Sequence, residues 1–152
     1  MKNLIYPILS SRMENKMKVV IIDGQGGSLG KALVEAIRRN HPTLEILAIG
    51  TNSMAASAML RSGATAIATG ENPVVVAARD AEIIIGPLGI IAADSLHGEI
   101  TPAMASAISQ SKAHKILIPI TKCNISIVGK QELPLGEMIA LVAEELDLLL
   151  RH

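Results

Sequence analysis

The chain contains no tryptophan, no phenylalanine and one tyrosine, Tyr6. Single-stranded nucleic acid is bound largely by stacking bases on aromatic side chains, so that mode of recognition has no platform here. There is also no charge of one sign to spare: lysine plus arginine and aspartate plus glutamate both number 14. A neutral chain lacks the basic bias that draws a protein to a phosphate backbone. Nucleic acid is therefore not the expected partner. Cysteine is nearly absent as well. Cys123 alone permits no internal disulfide and no four-cysteine metal site, which suits a reducing, cytoplasmic setting. Long hydrophobic runs are missing too, although 49% of the residues are apolar. The stretch IIIGPLGIIAA, from Ile83 to Ala93, is followed by Asp94. That falls short of the roughly 18 residues a membrane span needs, so no membrane role is expected.

The apolar residues that are present come in short, β-branched runs. Met17–Ile22, Leu44–Ile49, Ala64–Ala68, Glu82–Ile85 and Lys115–Ile120 read as five buried strands, with Ile125–Val128 as a sixth. Between them lie helical patterns: Leu29–Arg39, a segment capped by Ser53 and running to Arg61, and one opened by Asn72-Pro73. Two more follow, one opened by Thr101-Pro102 and a long one at Leu135–Leu150. Strands alternating with helices predict an α/β fold with a doubly wound, mainly parallel, Rossmann-like sheet in the order 3-2-1-4-5. Residues 17–152 read as one domain. Residues 1–16, with a short apolar run broken by Pro7, read as a poorly ordered extension without a signal-peptide core.

Ligands of such sheets bind beyond the C-terminal strand ends, where the strand order reverses. The most telling motif falls there. IIDGQGGSLGKA, residues 21–32, places four glycines between a strand and a helix. Gly24, Gly26 and Gly30 come within one residue of the dinucleotide-binding spacing, and Gly24, Gly27 and Gly30 form an even three-residue spacing. Backbone amides at a helix start attract anions, so a phosphate is the expected ligand. A P-loop is disfavoured: Gln25 stands where its first glycine belongs, and Ala32 replaces its metal-binding hydroxyl. Two features depart from an ordinary cofactor loop. Asp23 stands at its mouth, and no acid follows the second strand to hold a ribose; the chain reads Gly50-Thr51-Asn52-Ser53 instead.

The expected cofactor or ligand contacts are thus Asp23, Gly24, Gln25, Gly26, Gly27, Ser28 and Gly30, then Thr51, Asn52 and Ser53, with Gly86, Pro87 and Gly89 from the loop after strand four. Candidate catalytic residues are Asp94, His97 and Glu99, clustered in DSLHGE, with Lys122 and Cys123 after strand five. The plainer reading of DSLHGE is a solvated loop, with Glu99 near the positive end of the helix capped by Thr101. No residue set is assigned to a metal. In the last helix, Met138, Ile139, Val142, Leu146, Leu149 and Leu150 form a stripe for the core. Leu141 and Leu148 lie opposite, which suggests a homodimer through this helix.

The segments DGQGG (Asp23–Gly27), GPLGIIAADSL (Gly86–Leu96), GEITPAMA (Gly98–Ala105) and KILIP (Lys115–Pro119) together resemble a family of short bacterial proteins known as a domain of unknown function. The resemblance runs from about Met17 to the end and implies a bacterial cytosolic protein with a Rossmann-like fold. It carries no catalytic residues over. A more distant resemblance to NAD(P)-binding domains rests on the glycine loop alone. Three functions stand open at this stage. The first is a binder of a nucleotide, such as NAD(P), or of another phosphorylated small molecule. The second is a small oxidoreductase-like or metal-assisted enzyme completed across a dimer. The third is a non-catalytic interaction module.

Overall fold

The computed structural model describes residues 17–120 and 124–152. The N-terminal extension, Lys122 and Cys123 lie outside the described residues. Five strands, β1 (Val19–Asp23), β2 (Ile46–Gly50), β3 (Ala66–Thr69), β4 (Ile83–Pro87) and β5 (His114–Ile118), form one all-parallel sheet in the order β3-β2-β1-β4-β5. This is the Rossmann-like arrangement that the alternation of strands and helices dictates.

Burial follows from the period of two along a strand. In β1, Val19 and Ile21 face α1 (Ser28–Asn40) and α5 (Leu135–Leu150), with Leu33, Val34, Ile37, Ile139, Val142 and Leu146 packed against that side of the sheet. Val20 and Ile22 face the other way, toward α3 (Glu71–Ala78) and α4 (Pro102–Gln110), among Val74, Ala77, Met104 and Ile108. Each such aliphatic side chain taken from water contributes about 1.5–3 kcal/mol. Both faces of the sheet are thereby covered, which is why its strands are apolar throughout rather than alternating. The same period carries Asp23, two residues after Ile21, to the α1 side.

Local signals explain the helix starts. Thr101 caps α4 by accepting from the Met104 N–H at 3.2 Å, with Pro102 at the first helical position. For α2 (Ser53–Arg61), the cap is Asn52, one residue before the Ser53 expected from sequence; its Oδ1 accepts from the Ala55 N–H at 2.9 Å. Similarly, α3 begins at Glu71 after Gly70, so Asn72 and Pro73 sit inside its first turn rather than at its cap. The sixth strand expected at Ile125–Val128 does not form: these residues carry no strand pairing, and Val128 is fully exposed. No helix among the described residues is long and apolar enough to cross a membrane.

Candidate functional site

The glycine loop leaves the C-terminal end of β1 and enters α1 at the reversal point between β1 and β4. Its geometry begins with Asp23. That side chain is 5% exposed, and its Oδ2 accepts from the Gly30 N–H at 2.6 Å. Burial pushes its carboxyl above the ordinary value, and the nearby Glu99 charge adds to this; hydrogen bonds from the Gly30 and Gly24 amides pull the other way. Asp23 is therefore tied to the first turn of α1 through the Gly30 amide while it also borders the cleft at the loop.

Three of the four glycines are required by packing alone. A Cβ on Gly24 would stand 2.6 Å from Thr51 Oγ1, and one on Gly30 would stand 2.5 Å from Met59 Sδ. Gly27 combines φ of +75° with a Cβ position 2.6 Å from the Ala55 Cα. Gly26 differs. It is exposed, its φ is not positive, and a Cβ there would meet nothing within 4 Å. Of the loop's four glycines, this is the one that no contact among the described residues requires.

Amide donors are left over at the same place. Gly27 N–H closes a turn onto Gly24 O, Gly30 N–H is taken by Asp23, and Lys31 N–H begins the helical ladder at Gly27 O. The N–H groups of Gly26, Ser28 and Leu29 meet no acceptor among the described residues. All three residues line a cleft of about 260 Å³, shared with Asp23, Gly24 and Gln25 and closed by Pro87, Leu96, Ile120 and Leu135. Three larger grooves, of about 450, 410 and 440 Å³, lie against β3 and α3, between β5 and α5, and between α3 and α4. The first two are walled chiefly by aliphatic residues, the third also by Arg79, Gln110, Ser111 and Lys112, and none touches the glycine loop; the smaller cleft is the one the loop opens into.

A second polar centre lies on the other side of Gln25. The Glu99 carboxylate accepts from the Gln25 N–H at 3.0 Å, the Thr51 hydroxyl at 2.9 Å and the Asn52 amide at 2.6 Å. Asn52 also donates to Gln25 O at 2.9 Å, and Thr51 N–H to Asp23 O at 3.0 Å. The tips of β1 and β2 are thus tied together through one carboxylate.

A profile of the family described as a domain of unknown function, DUF3842, matches residues 18–150. The chain belongs to the DUF3842 family. No curated protein and no solved structure matches it. In this DUF3842 member the residues singled out in the sequence separate into distinct groups. Asp23, Gly24, Gln25, Gly26, Ser28 and Pro87 share the cleft. Thr51 and Asn52 gather at Glu99. Gly27 and Gly30 are packing residues, and Ser53 is the exposed first residue of α2. Gly86 lies within β4, where a Cβ would come 2.4 Å from Ile22 O, and Gly89 backs onto Ser95. Close packing explains both of these.

The DSLHGE cluster does not converge. Asp94 and His97 are exposed, and among the described residues no three His, Cys, Asp or Glu side chains come together to hold a metal. Glu99 is not spent on the start of α4; it reaches the glycine loop instead. The backbone that carries it is unusual: Asp94, Leu96 and His97 all have positive φ (64°, 55° and 55°), followed by Gly98 at 87°. Ser95, 5% exposed, anchors the turn through its hydroxyl to Gly89 O. Sequence reading identified Glu99 as a candidate but not its destination, because a partner 74 residues away leaves no local pattern. It missed Leu96, Ile120 and Leu135 for the same reason.

Proposed function

We propose that this protein binds a nucleotide or a closely related phosphorylated small molecule at the glycine loop, with phosphate against the Gly26, Ser28 and Leu29 amides. One observation carries the reading. Gly26 is the one glycine of the loop that no contact among the described residues requires, and it lies beside amide donors that find no acceptor among those residues. A phosphate held by backbone amides at the N-terminal end of a 13-residue helix gains from the helix dipole as well. The open space over Gly26 lets a ligand approach the backbone closely.

The test is calorimetry or thermal shift with NAD, NADP, ATP and AMP, comparing wild type with Gly26→Val. The valine fills the approach to the cradle without meeting any protein atom at its Cβ. Binding of at least one nucleotide by wild type, weakened at least tenfold or so in the variant with no loss of melting temperature, supports the reading. Silence from all four at millimolar concentration defeats it.

Support for self-association comes from α5. Leu141 and Leu148 are 51% and 53% exposed, one face away from the buried Ile139, Val142 and Leu146. A second copy of the chain is the proposed partner for this face.

A further inference from the structure

Glu99 bears on which nucleotide is taken, an inference that rests on nucleotide binding at the glycine loop. Dinucleotide-binding sheets place an acid after β2 to hold the hydroxyls of the adenosine ribose. Here β2 ends at Gly50 and is followed by Thr51, Asn52 and Ser53, with no acid. A carboxylate nonetheless stands at that spot, because Glu99 is delivered there from the loop beyond β4 and held by Thr51 and Asn52.

The geometry leaves this carboxylate room to act. Oε1 accepts from Thr51 and Asn52, whereas Oε2 accepts only from the Gln25 N–H among the described residues. A carboxylate oxygen with one donor has lone-pair capacity for a ligand hydroxyl. Glu99 is half-buried, so solvent still reaches it. It is not needed to cap α2, since Asn52 Oδ1 already serves Ala55 N–H. Nor does it consume the donors of the phosphate cradle, which belong to Gly26, Ser28 and Leu29. The run of left-handed residues from Asp94 to Gly98, interrupted only by Ser95, is a costly backbone that leads directly into Glu99.

Three stations therefore follow one another across the end of β1: a carboxylate at the tip of β2, an amide cradle in the glycine loop, and a cleft reaching Pro87 at the end of β4. We propose that Glu99 is a specificity-determining residue that receives the free hydroxyls of an adenosine ribose and excludes a ribose bearing a 2′-phosphate. The chemistry selected is that of a dinucleotide with an unmodified ribose, with its pyrophosphate at the cradle and its second half in the cleft. A 2′-phosphate would place about two negative charges against a fixed carboxylate.

The experiment titrates the full chain with NAD and with NADP, in wild type and in Glu99→Gln, with a melting curve for each protein. Wild type is expected to bind NAD about tenfold or more tighter than NADP, and Glu99→Gln to bring the two within about threefold, since removing one charge removes the repulsion. If Glu99→Gln does not fold, the wild-type ratio decides alone: equal affinities, or tighter NADP, overturn the inference. So does a ratio that the folded variant leaves unchanged. Binding of ATP or AMP, sensitive to Gly26→Val, with neither dinucleotide bound, overturns this inference and leaves the nucleotide reading standing. Failure of all four ligands ends both.

Discussion

Gly26 and Gly27 are neighbours with opposite constraints. Gly26 has no positive φ and open space above it; Gly27 has φ of +75° and Ala55 backbone 2.6 Å from where its Cβ would lie. Gly26→Ala should therefore change stability by less than about 0.5 kcal/mol, while Gly27→Ala costs about 3 kcal/mol from the left-handed backbone and the clash together. Chemical denaturation of the two variants checks this; equal effects would refute the division of the loop into glycines that packing requires and one that it does not. Asp23 supplies a second residue-level test. Its raised carboxyl means the folded chain binds that proton more tightly than the unfolded chain does. Between the ordinary carboxylate range and the raised value, Asp23 therefore makes stability fall as pH rises. The melting temperature of wild type relative to Asp23→Asn should climb as pH is lowered from neutral toward that range. A difference that falls instead would mean the carboxylate is stabilised by its amide partners more than burial penalises it. The surplus of glycines was visible in the sequence, but which of them was surplus was not. That depended on Thr51, Ala55 and Met59, residues of another strand end and another helix.

At the scale of elements, the loop joining β4 to α4 holds four residues of positive φ between Asp94 and Gly98 and carries Glu99. His97 is exposed and left-handed, with φ of 55°. His97→Gly relieves that conformation at the cost of a freer unfolded chain, for a net gain of a few tenths to about 1 kcal/mol in unfolding free energy. A loss of more than about 1 kcal/mol would show that the imidazole makes a contact the loop depends on. The regular elements were largely legible in the sequence. Apolar β-branched runs too short to cross a membrane have few uses other than buried strands, and Thr101-Pro102 marked the start of α4. The misplacements were local. Asn52 outcompetes Ser53 as a cap because its side chain reaches Ala55 N–H, and α3 starts after Gly70, two residues earlier than the proline signal implied. The Ile125–Val128 run resembled a strand in composition only. The sheet already ends at β5, and no partner strand receives it among the described residues.

For the whole molecule, the sheet order brings the tips of β1, β2 and β4 to one place, and each contributes something different: amides, polar side chains and Pro87. The topology was predictable from right-handed crossovers, so the meeting of these three strand tips was legible before the residues gathered there. The contents depended on a long-range delivery, Glu99 to Gln25, that no periodicity encodes. The exposed leucines of α5 belong to the same scale. Size-exclusion chromatography with light scattering should give a dimer that Leu141→Glu plus Leu148→Glu converts to monomer; a monomer in both cases would remove the case for self-association. The central claim is that the glycine loop is an anion cradle with Gly26 as its open position. It is tested most directly by isothermal titration of the nucleotide panel into wild type and Gly26→Val, with melting temperatures recorded alongside. A nucleotide is expected to bind the wild type and to be lost or weakened in the equally stable variant. A nucleotide that binds both proteins alike, or none that binds either, would contradict it.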